Sequence, residues 1–175
     1  MPNATERAKR ARRAGYIVRP AEKSDAEALG EIHVAVWRAT YVGLLSADYL
    51  MGMRPSERAG AWRRSLSEAA DDVTNIVAEA PDGEVVGFAV AGPSREDAPA
   101  IPDELYAMNV LPTHQGSGVA DLLMEESIGS SPRELWVVVG NDRAIAFYQR
   151  HGFRPDGAEK DDPRFDAHEM RMIRR

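Results

Sequence analysis

The stretch that most restricts how this chain can fold runs from Leu105 to Ala120 and reads Leu-Tyr-Ala-Met-Asn-Val-Leu-Pro-Thr-His-Gln-Gly-Ser-Gly-Val-Ala. An apolar run of strand character ends at Pro112, a loop containing glycines follows, and Val119, Leu122 and Leu123 then recur at helical spacing. A helix that opens directly from such a loop leaves its first amide N–H groups without intrahelical partners, and glycines at 116 and 118 let a ligand approach the backbone without meeting a Cβ. The turn therefore suits an anion. Glycines in this position also serve simply to make the corner, so the loop read alone does not decide between the two. It lacks the Gly-Lys-Ser/Thr ending of a Walker A loop, the G-x-S-x-G spacing of a nucleophile elbow and the G-x-G-x-x-G of a dinucleotide site.

Around this stretch the pattern gives an ordered succession of elements. Tyr16 to Arg19 reads as a first strand ended by Pro20, and Ser24-Asp25-Ala26-Glu27 has the capping-box form that opens a helix carrying Leu29, Ile32, His33, Val36, Trp37 and Thr40 on one face. Ser46-Ala47-Asp48 can cap a short turn, and a second helix opens at Pro55 and runs through Trp62 and Leu66. Val73 to Ala80 and Glu84 to Ala91 form a hairpin about Pro81-Asp82-Gly83. Gly92 to Pro102 is an aperiodic loop long enough to act as a lid or rim. The central strand, Glu104 to Val110, leads into the glycine loop and its helix, which ends at Gly129-Ser130-Ser131-Pro132. Glu134 to Gly140 is a strand apolar enough to be covered on both faces, Asn141 caps a helix that stops at Gly152, and strands near 153–158 and 167–173 close the domain. The order β-α-α-β-β-β-α-β-α-β-β specifies an α+β domain with a mixed sheet.

Composition narrows the chemistry. With 175 residues the chain is ordinary for one domain, and with no cysteine it excludes disulfides, thiolate metal sites and a cysteine acyl-enzyme. His33, His114, His151 and His168 are scattered without metal-ligand spacing, so no metal is expected. No apolar run approaches a membrane span or the core of a secretory signal, which points to a soluble, cytoplasmic protein. Residues 1–15 carry Arg7, Lys9, Arg10, Arg12 and Arg13 against Glu6, net +4, within a chain of net −6, so the remainder is acidic at −10. The expectation is a disordered basic arm over 1–15 and a domain over 16–175. An acidic body suits cationic amines better than nucleic acid, and no membrane partner is expected.

Two motifs carry a resemblance. Gln115-Gly116-Ser117-Gly118-Val119-Ala120 matches Q/R-x-x-G-x-G/A, and Asn141-Asp142-Arg143-Ala144-Ile145-Ala146-Phe147-Tyr148-Gln149-Arg150-His151-Gly152-Phe153 is close to N-x-x-A-x-x-F-Y-x-x-x-G-F. In both, and in element order, the chain resembles the GNAT superfamily of acyl-CoA-dependent N-acetyltransferases. The resemblance implies a GNAT-type three-layer fold: a mixed, mostly antiparallel seven-stranded sheet flanked by helices, with the fourth and fifth strands splayed to admit acetyl-CoA. It implies that Gln115, Gly116, Ser117, Gly118, Val119 and Ala120 cradle the coenzyme pyrophosphate and that backbone groups of Met108 and Val110 hold the pantetheine arm. Homodimers are common in the family. Many members have arginine where Gln115 stands and glycine where Ala120 stands, so one cationic phosphate contact is missing here.

The reaction so implied needs a neutral amine and a proton for the departing thiolate. An amine with a pKa near 10.4 costs about 4.6 kcal/mol to deprotonate at pH 7, so a base matters. Glu104 is the candidate, because strand alternation puts it on a face with Tyr106, Met108 and Val110 and because some family members carry a glutamate at that position. Tyr148 falls on the family's general-acid tyrosine, and a phenol is protonated at neutral pH. Asn141 is a candidate coenzyme contact as well as a helix cap, and His33, Trp37 and Tyr41 are candidate walls of the acceptor pocket. The absence of cysteine favours direct attack in a ternary complex on a primary amine of a small molecule or peptide. Two other classes are open at this level: an acyl-CoA-binding regulatory module on the same fold, and a nucleic-acid binder using the basic arm.

Overall fold

The computed structural model describes residues 3–175. Its elements are α1 (Ala4–Arg13), β1 (Ile17–Pro20), a 3-10 turn (Lys23–Asp25), α2 (Ala26–Thr40), α3 (Ala47–Gly52), α4 (Pro55–Glu68), β2 (Thr74–Glu79), β3 (Val85–Pro93), β4 (Asp103–Val110), a second 3-10 turn (Pro112–His114), α5 (Val119–Ile128), β5 (Arg133–Val138), α6 (Asp142–Arg150), β6 (Arg154–Asp162) and β7 (Ala167–Arg174). The strands form one seven-stranded sheet in the order β1-β2-β3-β4-β5-β7-β6. All neighbours are antiparallel except β4 and β5, which run parallel. This is the expected α+β, three-layer arrangement.

Alternation along the inner strands explains the layers. Val77 and Phe88 point to one face and pack with Leu29, Ile32 and Val36 of α2. Ile76, Ala78 and Ala89 point to the other and pack with Val119 and Leu123 of α5. A further core joins β5, β7 and the turn after α6 through Leu135, Met172 and Phe153, against Met124 and Ile128. Among the described residues no helix is long and apolar enough to cross a membrane.

Three local expectations change. The first concerns the basic arm, where Met1 and Pro2 lie outside the described residues. Residues 4–13 form a helix capped by Asn3, whose side chain accepts from the Glu6 N–H at 2.9 Å. Ala8 and Ala11, both 0% exposed, let this helix lie close on Leu122 of α5, and Arg12 pairs with Glu125 (3.1 Å) and Glu126 (2.5 Å). The charges lie beside a narrow alanine stripe, and that stripe orders the segment.

The second is the start of α2. Asp25 does not cap that helix; its carboxylate accepts from the Glu22 N–H at 2.7 Å and from both terminal nitrogens of Arg19 at 2.7 and 2.8 Å. The capping box therefore sits one turn early, around the 3-10 turn with Glu22 as its cap. The third is that Ser46 caps a helix of its own, accepting from the Tyr49 N–H, so three helices rather than two separate β1 from β2.

Candidate active site

The site arises where β4 leaves β5. The two strands share one register pair, Glu104 with Glu134, and beyond it they part. Both carboxylates are buried, at 1% and 0% exposure, and both hold the loop between β3 and β4. Glu104 accepts from the Arg95 N–H at 3.0 Å and from two nitrogens of the Arg95 guanidinium. Glu134 accepts from the Ser94 hydroxyl at 2.5 Å and from the N–H groups of Ala100 and Ile101 at 2.8 and 3.1 Å. The loop read as a lid or rim is thus a rim fastened from below.

A bulge lies next to this junction. Val90 pairs with Ala107 and Ala91 with Leu105, so Tyr106 is an extra residue on β4. Leu105 and Met108 consequently both pack towards α5, whereas Ala107 packs with Ile32 and Phe88 on the α2 side. The extra residue flips the parity of the strand. Strict alternation, which groups Glu104 with Met108 and Val110, does not hold across it; Glu104 lies on the α2 side with Ala107. The Tyr106 hydroxyl donates to the Pro93 carbonyl, and the Arg95 guanidinium lies 4.2 Å over its ring.

Past the junction opens a cavity of about 880 Å³, within the range of small-molecule sites. Its walls bring together nearly every residue singled out from the sequence: His33, Trp37, Tyr41, Glu104, Met108, Val110, Gln115, Gly116, Gly118, Ala120, Asn141 and Tyr148. Ser117 and Val119 are not among them. Val119 is buried in the α5 core, and the Ser117 hydroxyl donates to the His114 carbonyl at 2.7 Å and accepts from the Val119 N–H at 3.2 Å. The N–H groups of both are already engaged, that of Ser117 with the His114 carbonyl and that of Val119 with the Ser117 hydroxyl.

At the glycine loop, Gly116 and Gly118 adopt φ of +81° and +100°, a region that favours glycine. A Cβ on Gly116 would meet open space, but one on Gly118 would overlap the backbone carbonyl of Arg7 in α1. Gly118 is therefore needed for helix packing as well as for its dihedral angle. Gln115, at the position where relatives often carry arginine, turns its amide inward and donates to the Val110 carbonyl at 3.1 Å.

The opposite end of the cavity is aromatic. Trp37 stacks on His33 with ring centroids 5.0 Å apart and meets Tyr41 (5.0 Å) and Phe165 (5.3 Å) edge-on. Burial, with a smaller effect from the Arg58 charge, pulls the His33 imidazole down to about 4, so it is neutral at physiological pH. Its Nε2 is buried and has no hydrogen-bond partner among the described residues. Tyr148 lines the same cavity, in edge contact with Phe147 and Phe153. Burial, and then the neighbouring Tyr41, raises its phenol well above the ordinary range, which keeps it protonated. Tyr41 is also raised, by burial first and then by the charge of Glu169, with a hydrogen bond to Asn141 opposing. The Asn141 side chain itself accepts from the Ala144 N–H at 3.2 Å as the cap of α6.

Sequence reasoning missed Glu169. It stands on β7 opposite Val138 of β5, lines the same cavity, and its carboxylate makes no hydrogen bond or ion pair among the described residues. Burial raises its pKa, and Lys160 offsets part of the rise. No local motif marks it, because its position depends on β7 pairing between β5 and β6. Lys160 and Arg164, also on the cavity wall, were missed for the same reason, and Arg95 because its place depends on the fastening of the loop between β3 and β4 to Glu104.

A sheet parted between parallel neighbours, with a glycine loop opening a helix at one end of the gap and a tyrosine on the cavity wall, is the arrangement of a GNAT-type acyltransferase. The comparisons agree. Residues 71–155 match the family model described as acetyltransferase (GNAT) domain. A Bacillus subtilis protein named as an uncharacterized N-acetyltransferase, YuaI, is 32% identical over 141 residues, covering 77% of this chain and 78% of its own. The PaiA N-acetyltransferase of Thermoplasma acidophilum, solved in complex with coenzyme A, superposes with a TM-score of 0.68 at 21% identity, covering 90% of this chain and 98% of that one. A GCN5-related N-acetyltransferase from Kribbella flavida gives 0.67 at 21% identity over 93% of this chain and 98% of its own. The chain belongs to the GNAT superfamily of acyl-CoA-dependent N-acetyltransferases.

Proposed function

We propose that the enzyme moves an acetyl group from acetyl-CoA to a primary amine of a small molecule or peptide by direct attack in a ternary complex. The observation that carries this reading is the single cavity that joins the glycine loop, the parted strands, Tyr148 and the aromatic wall. The amides at the start of α5 would receive the pyrophosphate, and backbone groups of Met108 and Val110 the pantetheine arm. Thioester and amine would then meet near Tyr148, with Trp37, Tyr41 and His33 around the acceptor.

In the chemical step the amine nitrogen bonds to the thioester carbonyl carbon, the resulting oxyanion collapses, and the carbon–sulfur bond breaks to give amide and thiolate. Tyr148 donates its phenolic proton towards the sulfur. Desolvation disfavours the thiolate as it does the phenolate, so the low-polarity setting that holds the phenol protonated also makes the sulfur a better proton acceptor. The proton lost by the amine needs a base. Glu104 has its carboxylate committed to Arg95, so in this reading it positions the rim, and the base is Glu169, whose carboxylate faces the cavity without a partner. A carboxylate raised by burial is closer in basicity to its task than an exposed one.

The test is a panel of primary amines offered with acetyl-CoA, monitored by free thiol release. Amine-dependent release is expected. A protein that binds acetyl-CoA yet releases no thiol with any amine would be an acyl-CoA-binding module instead.

A further inference from the structure

Helix α1 does more than cover α5. Arg10 donates from its guanidinium to the carbonyls of Gly116 and Ser117, the second at 3.3 Å, and no carboxylate among the described residues pairs with it. Arg7, one turn earlier, lines the same cavity as Gly116 and Gly118, and its backbone carbonyl occupies the space that a Cβ on Gly118 would need. Just past the helix, Tyr16 hydrogen-bonds the His114 ring at 2.8 Å, so the loop is held from both ends of this contact. Meanwhile Gln115 is turned away to Val110 and offers no charge.

We infer that α1 is part of the coenzyme site, its Arg7 and Arg10 supplying the positive charge towards the coenzyme phosphates that position 115 lacks. This rests on the placement of the coenzyme above. The chemistry is that of guanidinium with phosphate: a charge that is fixed, hydrated less tightly than an ammonium, and held here by a buried alanine seam rather than by a loose tail. The glycine loop alone would offer amide N–H groups; with α1 docked, the same loop sits under a cation.

The experiment uses the full chain and its variants Arg7→Gln, Arg10→Gln, the double variant, and Arg7→Lys. Affinity is measured by calorimetry for coenzyme A and for 3′-dephospho-coenzyme A across a salt series, and kcat/KM is measured with acetyl-CoA and with S-acetyl-pantetheine, which has no phosphate. Loss of a charge-assisted contact should weaken coenzyme A binding about ten- to a hundredfold in the double variant and flatten its salt dependence. Turnover of S-acetyl-pantetheine should match wild type, and Arg7→Lys, which keeps the charge without the planar fork, should retain more affinity than Arg7→Gln. Equal losses for coenzyme A and its dephospho form assign the contact to the pyrophosphate; a loss confined to coenzyme A assigns it to the 3′-phosphate. The inference is overturned if the double variant keeps wild-type affinity and salt dependence, or if S-acetyl-pantetheine turnover falls as far as that of acetyl-CoA, which would make α1 a structural brace. Failure of the wild-type protein to bind coenzyme A at all would overturn the coenzyme site itself, a distinguishable result.

Discussion

Replacing His33 with phenylalanine should change how the protein responds to acid. The imidazole is stacked on Trp37, its centroid lies 6.4 Å from that of Phe88, and its buried Nε2 has no partner, so the folded state holds it neutral down to about pH 4. In the unfolded chain the same group takes up a proton near pH 6.5. The unfolded state therefore binds more protons between those values, and stability falls as pH drops from about 6.5 to about 4, with the full advantage of the neutral ring present above that window. The gap corresponds to about 3 kcal/mol at pH 4, an order-of-magnitude figure. Phenylalanine keeps the ring in its stack and cannot titrate, while the other titrating groups are common to both proteins. Urea unfolding at a series of pH values from 7 to 4 should then show the variant gaining on wild type by about 3 kcal/mol across the series. If the two curves stay parallel, His33 is not a buried neutral ring and the packing described for the acceptor wall is wrong.

Other outcomes follow from the same geometry. Tyr148→Phe keeps the ring contacts and removes the proton donor, so acetyl-CoA affinity should persist while kcat falls about 10²–10⁴-fold under conditions where chemistry limits turnover; a wild-type kcat there removes Tyr148 as the acid. Glu169→Gln should depress kcat at neutral pH and recover part of it in alkali, where more of the free amine is already neutral, whereas Glu104→Gln should chiefly loosen the rim; the reverse pattern in a pH–rate series would return the base to Glu104. Tyr41→Ala should alter amine KM or preference and leave coenzyme affinity nearly unchanged by calorimetry. Glu134→Ala would strand three donors beneath the parted strands and should cost about 2–4 kcal/mol in urea unfolding, with Glu134→Gln losing less.

The fold was legible because the inner strands β2 to β5 are largely apolar and the turns carry glycine where φ is positive, as at Gly83 and Gly152. The helix over 4–13 was not. Its buried residues, Ala8 and Ala11, are too small to register as an apolar face beside five basic side chains, and what they pack on is 110 or so residues away. The lining of the candidate site was half legible. Gly116, Gly118, Asn141 and Tyr148 belong to contiguous motifs, so their neighbours in sequence announce them. Glu104 was located on the right strand but read in the wrong register, because a bulge at Tyr106 leaves no mark in a period-two pattern. Glu169 enters the cavity only through the order of strands β5, β7 and β6, which spacing along the chain does not encode.

The same blind spot bears on the glycine loop. Read from sequence, Gly118 makes room for a ligand; in the folded chain it makes room for α1. A bulky residue there would displace the helix and the loop together, so loss of coenzyme binding on substitution at 118 would not report on the ligand alone. Gly116, whose Cβ position is open, shares the positive φ and so adds only backbone strain, which makes the arginines of α1 cleaner probes of the phosphate site.

The central claim, direct transfer from acetyl-CoA to an amine held in one cavity, is tested most directly by initial rates of thiol release with both substrates varied. Reciprocal plots for an accepted amine should give lines that intersect, as a ternary complex requires, with one amide formed per thiol released. Parallel lines would contradict direct attack by requiring an acetyl-enzyme, and thiol release that does not depend on any amine would contradict the transfer itself.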